Sequence, residues 1–569
     1  MAKNKKIEPH LTGNSLEVLK SRYLLKDKVG TIVETPAELF WRVAQAIAIG
    51  ENRDRDYWGD VFFELMAERR FIPNSPTLMN AGKKGGQLSA CFVLPLHDSL
   101  DSIFDTLKSA AKIHQSGGGT GFSFSQLRPR GGLVRSTHGV ASGPVSFIRI
   151  FDVATETIKQ GGTRRGANMA ILRVDHPDIL EFIRSKLDQN AMVNFNISVG
   201  MTDEFMEALH ENDEFWLKDP RDGRRVEQVG AREVFDTLVD CAWQCGDPGL
   251  VFLDRMNLFN PTPQEGDMES TNPCGEQPLL PFESCNLGSL NLGLYFRAQG
   301  FNWNLFRLDI WVAVRFLDNV IDENAYPVME TKKVTLRNRK IGLGIMGFAD
   351  LLLLEGIPYA SAEALDYGEK IMSFLDREAK LASAKLAVDR SPFPNWKGSL
   401  WQKLGYPPLR NATVSTVAPT GTISMIAGAS SGIEPIFSGV FYRNVLDGKR
   451  LMELHPVLER KLSDKHCDLS TLTDKKISDL LGPAWSPAWT VPVESHVKMQ
   501  AAIQRHSDSA VSKTINLPES ATREDVASAY LFAYQLGCKG ITVYRDKSRS
   551  KQVLDANPSI EDPDNCPSC

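Results

Sequence analysis

No stretch of this 569-residue chain approaches the roughly 18 uninterrupted apolar residues that a membrane-spanning helix needs. The opening MAKNKKIEPH leads into no apolar run, so no signal peptide is read there, and a cytoplasmic location is expected. An excess of one charge is missing too. The 65 Lys and Arg against 70 Asp and Glu leave a net charge of −5, which gives no reason to expect nucleic acid or an anionic membrane as the main partner. Internal repeats and low-complexity blocks are absent. Cysteine is sparse, with nine residues, and their odd number and wide scatter argue against a disulfide framework. In a reducing compartment such cysteines are buried, catalytic or metal-binding.

What is present is the composition of an ordinary globular protein, 42% hydrophobic and 24% charged, able to bury a large core. The first seventy residues read as helical. SLEVLKSRYLL and TPAELFWRVAQAIAIG carry apolar residues at three- and four-residue intervals, and Thr35-Pro36 forms a cap before the second run. From Phe71 to Leu554 strands and helices alternate, which points to one large α/β domain over 71–554. VNFNISVG (193–200) alternates as a half-buried strand does. FIRIFDVATETIKQGG (147–162) places Phe147, Ile150, Phe151, Ala154 and Ile158 on one helical face. EFWLKDPRDGRRVEQV (214–229) reads as a hairpin turning at Asp222-Gly223. The end, DANPSIEDPDNCPSC (555–569), is acidic, proline-rich and poor in apolar residues, and is read as a flexible tail.

The stretch NPCGEQPLLPFESCNLG (272–288) concentrates chemistry. Asn272, Cys274 and Glu276 are spaced i, i+2, i+4, and Pro273 biases the segment towards an extended backbone, in which the three side chains share one side. Glu276 suits a general base, Asn272 a hydrogen-bonding clamp and Cys274 the reactive atom. A buried cysteine in a Gly/Pro-rich loop is the competing reading for each residue alone; the set, with Cys285 downstream and Cys91 upstream, favours function. Cys566 and Cys569 form a C-x-x-C on the tail, suited to thiol–disulfide exchange; an incidental pair is the alternative, and no further ligands nearby make it a metal site. VSTVAPTGTISMIAG (414–428) reads as strand, turn, helix, with the turn offering N–H groups and hydroxyls to a phosphate, or a simple helix cap. The formal G-x-G-x-x-G at Gly342, Gly344 and Gly347 lacks a preceding apolar strand and is read as close packing or a turn. Cys241 and Cys245 lie on an apolar helical face, and His466-Cys467 has no evident partner.

Motifs in order along the chain resemble the catalytic subunit of ribonucleotide reductases, most closely the adenosylcobalamin-dependent class. They are SPTLMNAG (75–82), LSACFVLPLHDSLDSI (88–103), GGGTGFSFSQLRPRGG (117–132), QGGTRRGAN (160–168), NPCGEQPLLPFESCNLGSLNL (272–292), APTGTIS (418–424) and GCKGITVYRDKSRSKQVL (537–554). The resemblance implies a ten-stranded α/β barrel whose central finger loop carries the radical cysteine, behind a helical N-terminal region over 1–70. It implies that Cys274 becomes a thiyl radical and takes the 3′ hydrogen of a ribonucleotide, with Glu276 as base and Asn272 holding the hydroxyls. Cys91 and Cys285 then supply two electrons and end as a disulfide, which Cys566 and Cys569 reduce in exchange with a thioredoxin- or glutaredoxin-type protein.

By the same carry-over, Ser75, Ala90, Thr420, Gly421, Thr422 and Ser424 bind the substrate. Asp98, Arg128, Arg135, Lys159 and Gln160 bind a dNTP or ATP effector that selects the base, and loops 129–136 and 160–168 relay its identity. The substrate leans to a diphosphate, and a homodimer is expected by family analogy. No Tyr-Tyr pair and no glycyl-radical ending are present, so adenosylcobalamin is the expected initiator by elimination and resemblance. No long extension precedes the core, so an ATP-binding activity cone is expected to be absent. The alternative is a reductase of this family that needs a separate radical-generating metallo-subunit. A dithiol oxidoreductase acting on proteins through Cys566 and Cys569 is a remoter one.

Overall fold

In this computed structural model, residues 7–134, 139–160, 164–445, 449–455, 457–459, 474–549 and 554–555 are described. Three helices open the chain: α1 (Gly13–Arg22), α2 (Pro36–Ala48) and α3 (Arg55–Ala67). Thr35 and Glu38 form the reciprocal cap of α2, with Pro36 in its first turn, as the sequence indicates. Leu39, Phe40, Val43 and Ile47 line the buried face of α2, spaced as one helical stripe.

The core is a ten-stranded mixed sheet. Its strands are β1 (Phe71–Pro73), β2 (Cys91–Val93), β3 (Gly119–Ser123), β4 (Asn168–Arg173), β5 (Phe195–Met201), β6 (Gly249–Phe252), β7 (Glu283–Asn291), β8 (Ile341–Met346), β9 (Thr514–Leu517) and β10 (Gly540–Arg545). Strands β2 to β6 are parallel neighbours in sequence order. At one end β7 joins β2 antiparallel, and β8 lies parallel along the far edge of β7. At the other end β10 joins β6 antiparallel and β9 runs parallel to β10. Single parallel bridges, Leu343–Ser415 and Val417–Val511, connect the β8 edge through Ser415–Val417 to the residues just before β9. All nine residues of β7 and all six of β8 are buried, the pattern of strands covered on both faces.

Several readings are met with detail that the sequence did not hold. The hairpin pairs Glu214–Lys218 with Arg225–Gly230, and Gly223 takes a positive φ of 71° in its turn. The 193–200 strand is observed as β5, buried except at Asn196 rather than on alternate residues. Gly342 and Gly344 lie inside β8, where a Cβ would strike Leu287 and the Thr416 carbonyl, so they are close-packing glycines; Gly347 turns the chain at φ 74°. The helix read at 147–162 spans Pro144–Thr157 and buries Val145, Ile148, Phe151 and Thr155, leaving Ile150 exposed. Both faces carry apolar side chains, so the 3.6-residue period fixes the helix without fixing which face packs. Cys241 and Cys245 are buried on the helix Ala231–Cys245. His466 and Cys467, and the tail except Asp555, lie outside the described residues.

Candidate active site

The residues around Cys274 form a hairpin, not the extended segment expected from Pro273. Ser270 pairs with Leu279 and Thr271 with Pro278, and the Gly275 N–H donates to the Asn272 carbonyl across the tip (3.0 Å). Proline in the second position of that turn and glycine in the fourth, at φ 81°, are the residues such a turn favours. Folding back separates the three side chains: Asn272 and Glu276 are buried at the base, and Cys274 is exposed at the tip. Asn272 ties the base together, its N–H donating to the Gln277 carbonyl (3.1 Å) and its Oδ1 accepting from the Gln277 N–H (2.9 Å).

Other elements aim this hairpin. The Pro273 carbonyl accepts from Asn196 Nδ2 of β5 (2.8 Å). The Glu276 carbonyl accepts from the Ala510 N–H (2.9 Å) and Thr416 Oγ1 (3.1 Å), the two segments that connect β8 to β9. Gly119 and Gly121 of β3 lie directly against Pro273 and Thr271. Sequence reasoning missed this platform, although alternate glycines inside a strand pattern are the signal for a closely approaching backbone.

Cys91 on β2 and Cys285 on β7 are cross-strand partners in register, both buried, and both are thiols. Directly opposed residues of an antiparallel pair lie about 4.5–5.5 Å apart at Cα, inside the range a disulfide spans. Asn272 Nδ2 donates to Cys91 Sγ (3.2 Å), joining the pair to the hairpin. Five of the residues singled out by sequence therefore meet at one place.

Burial shapes the electrostatics here. It pushes the Glu276 carboxyl up to about 7, with a hydrogen bond from Asn272 restraining the rise, and Glu276 Oε2 has no partner among the described residues. A carboxyl poised near neutrality suits a general base. Burial also drives both thiols well above their ordinary range, Cys91 further through Glu276, Cys285 and Cys274. Cys274 stands on the wall of a cavity of about 570 Å³, whose lining also takes in Asn196, Pro419, Ser512, Asn516 and Thr542. Glu434 lies on that wall, its carboxylate 2.7 Å from the buried Lys513 ammonium.

Ala90 donates its N–H to the Cys285 carbonyl (3.1 Å) and accepts from the Gly119 N–H (2.8 Å), so it braces the thiol pair. Thr420, at φ 52°, starts the short helix Gly421–Ala427, and its Oγ1 accepts from the Gly432 N–H (2.8 Å). Ser424 Oγ lies 3.1 Å from Ser431 Oγ, whose residue lines the cavity. Ser75 Oγ lies 2.7 Å from the Tyr23 hydroxyl. Asp98 and Arg128 form an ion pair (2.7 Å). The backbones of Lys159–Gln160 and Arg164–Arg165 pair as a two-stranded turn. Thr422 lies in the first turn of the helix Gly421–Ala427, and Arg135, Cys566 and Cys569 lie outside the described residues. Among the described residues, no helix is long and apolar enough to cross a membrane.

Comparison with known proteins identifies the family. Residues 89–544 match the family described as "Ribonucleotide reductase, barrel domain", and residues 10–86 match "Ribonucleotide reductase, all-alpha domain". A Thermoplasma acidophilum protein named "Vitamin B12-dependent ribonucleoside-diphosphate reductase" is 49% identical over 617 residues, covering 96% of this chain and 80% of the relative. A Mycobacterium tuberculosis (strain CDC 1551 / Oshkosh) protein of the same name is 45% identical over 560 residues, covering 95% of this chain and 80% of the relative.

Proposed function

This chain belongs to the ribonucleotide reductase family, and from that premise we propose that it reduces ribonucleoside diphosphates to 2′-deoxyribonucleotides through a thiyl radical on Cys274, with adenosylcobalamin as initiator. The observation that carries the reading is the convergence of an exposed Cys274, a buried Glu276 carboxyl whose Oε2 has no partner among the described residues, and the cross-strand thiols Cys91 and Cys285. The names of the two relatives support the cofactor and the diphosphate.

The residues present fit such a cofactor in one respect: Cys274 is reachable from a roomy cavity, where Ser512, Asn516 and Thr542 would offer polar contacts. When bound, adenosylcobalamin supplies the radical. Cys274, as a thiyl, takes the hydrogen from C3′ of the ribose. Glu276 accepts the 3′-OH proton at its free Oε2 side, and Asn272 holds the substrate between the base and the thiols. The 2′-OH departs as water with a proton from Cys91, Cys285 supplies the hydrogen that replaces it at C2′, and the two sulfurs, having given up two electrons, become a disulfide while Glu276 returns its proton to the 3′ oxygen. Cys274 returns its hydrogen to C3′. The turn at the hairpin tip keeps the reactive sulfur in one orientation, which is where much of the rate enhancement of such a site resides.

Ser75, Thr420, Gly421, Thr422 and Ser424 bind the substrate phosphates in this reading, Ser424 joined through Ser431 to the cavity wall. Asp98 and Arg128 receive a dNTP or ATP effector, their ion pair opening to ribose and phosphate. The Cys566/Cys569 tail re-reduces the disulfide and is itself reduced by a thioredoxin- or glutaredoxin-type protein. A homodimer is supported by exposed apolar side chains, Leu100 and Phe104 on one helix and Ile150 and Val153 on another. The enzyme works in the cytoplasm, where its cysteines stay reduced between turnovers.

The test is an anaerobic assay of the purified protein with dithiothreitol, cytidine diphosphate and a deoxynucleotide effector, with and without adenosylcobalamin. Deoxycytidine product only with the cofactor supports the reading. Product that instead requires an added metallo-subunit assigns the chain to the partner-dependent alternative.

A further inference from the structure

Three adjacent strands set Cys91, Cys285 and Lys340 in a row. Cys285 on β7 faces Cys91 on β2. On the other edge of β7, Asn286 pairs with Ile341, the first residue of β8, so Lys340 lies beside Cys285. The Cys285 thiol donates to the Lys340 carbonyl (3.6 Å). The Lys340 ammonium, 1% exposed, sits 2.7 Å from the Glu283 carboxylate, which is 0% exposed. Glu283 precedes Cys285 by two residues and shares its face of β7. That carboxylate also accepts from the Leu280 N–H (2.8 Å) and Asn338 Nδ2 (2.7 Å). It is thus a fixed anchor for the ammonium. A buried ion pair of this kind carries a large desolvation cost, and the radical chemistry above uses neither partner.

The two sulfurs consequently have unlike surroundings. Cys91 turns towards the hairpin: the hydrogen bond from Asn272 Nδ2 favours its thiolate weakly, and the ionisable neighbours acting on it, Glu276, Cys285 and Cys274, all disfavour one. At Cys285 burial also disfavours a thiolate; among its charged neighbours Lys340 acts most strongly and opposes that, while the weaker effects of Glu283 and Glu276 disfavour the thiolate. In thiol–disulfide exchange the sulfur whose thiolate is better stabilised leaves faster.

We propose that Lys340, anchored by Glu283, directs exchange at this pair, so that an incoming thiolate attacks Cys91 Sγ and Cys285 leaves as the thiolate. The inference rests on the reading that Cys91 and Cys285 form a disulfide during turnover. The thiolate of an external dithiol forms a bond to Cys91 Sγ, the Cys91–Cys285 bond breaks, and its electron pair remains on Cys285 Sγ beside Lys340. The second thiol, as thiolate, then attacks the external sulfur of the mixed disulfide and releases Cys91. The two cysteines take up two protons, and the dithiol departs as its own disulfide. Lys340 is a positioning residue that acts through Cys285.

The experiment uses the full chain with adenosylcobalamin, prereduced and allowed one turnover without external reductant. Mass measurement at that stage reads the disulfide itself; its absence overturns the underlying reading separately from the direction of exchange. The oxidised protein is then treated with glutathione, a monothiol that traps the mixed disulfide, quenched, alkylated and mapped by peptide mass. The expected result is glutathione on Cys91 and the alkyl group on Cys285. Glutathione predominantly on Cys285 overturns the proposal, and this reading of the unsubstituted protein needs no variant to fold. In Lys340→Met the preference for Cys91 should fall and reduction by dithiothreitol should slow about tenfold, with Lys340→Arg restoring both. A folded Lys340→Met protein that keeps the original preference and rate also overturns it.

Discussion

A Cβ built on Gly121 would fall 1.7 Å from the carbonyl oxygen of Thr271, so β3 and the hairpin carrying Cys274 touch backbone to backbone. No side chain fits that gap, and the obstacle is main chain rather than a flexible tip. Gly121→Ala must therefore push the hairpin away from β3. A shift of this order at a reacting group costs roughly a hundredfold in rate, so kcat for deoxynucleotide formation should fall at least tenfold while effector binding is kept. A Gly121→Ala enzyme with unchanged kcat would show that the hairpin is not positioned by this contact.

Glu276 offers a pH signature in both rate and stability. With its carboxyl pushed up to about 7 by burial, the base form appears as pH rises through 7, so kcat should climb across that interval. Its folded pKa lies above its unfolded one, so the protonated group favours the folded state. That contribution is complete below the unfolded value and is lost as pH rises from there through about 7, a difference on the order of 3 kcal/mol. Glu276→Gln has no charge to bury. It should be inactive, yet melt above the unsubstituted protein at pH 8, with the gap closing towards pH 4. A gap independent of pH would mean that Glu276 is not titrating in this range.

Cys274 is exposed at the hairpin tip, so its removal takes little from packing. Cys274→Ala should change stability by no more than about 0.5 kcal/mol and abolish product under every cofactor condition. Surviving activity towards protein disulfides, without nucleotide reduction, would instead favour the dithiol oxidoreductase.

The chemistry of the site was more legible than its shape. The Asn-x-Cys-x-Glu spacing named three residues that do meet the thiol pair, because side-chain chemistry is written locally. That the segment folds back was hidden, since the pairing of Ser270 with Leu279 spans the turn and Pro273 alone favours an extended chain. Lys340 escaped notice for a related reason. Its partner Glu283 is distant in sequence, and only the β7–β8 register brings the two together beside Cys285. The helix Pro144–Thr157 was visible from its period, but which apolar face packs inward depends on neighbours that the sequence does not place. The polar LRNRK before Gly342 excluded a nucleotide-binding turn and left close packing or a turn; the structure shows packing at Gly342 and Gly344 and a turn at Gly347.

Asp98 and Arg128 hold each other at 2.7 Å, and Asp98 Oδ1 also accepts the Arg128 N–H at 3.2 Å. Both side chains are about one-quarter exposed, so a ligand can reach them without unfolding the region. Asp98→Asn keeps the shape but removes the charge that orders Arg128. Binding of a deoxynucleoside triphosphate, followed by calorimetry, should weaken, and the effector-driven change in base preference should flatten. Reduction of cytidine diphosphate without effector should be retained. Loss of that basal rate with normal effector binding would place Asp98 in the catalytic machinery instead.

The Cys566/Cys569 pair leads to a prediction that separates chemistry from turnover. Leu554 and Asp555 pair with Arg443 and Tyr442, and Phe441 beside them lines the cavity that holds Cys274. From Asp555 to Cys566 is eleven residues by number, which extended chain carries over about 36–40 Å, so the thiols can reach the cavity from that anchor. Replacing both cysteines with serine should leave the prereduced enzyme able to form one deoxynucleotide per active site, because Cys91 and Cys285 are intact. Repeated turnover with a thioredoxin-type protein should then cease, while dithiothreitol, small enough to enter, should sustain it. Repeated turnover with the protein reductant in the doubly substituted enzyme would remove the tail from the reaction, and the external protein would have to act on Cys91 and Cys285 directly.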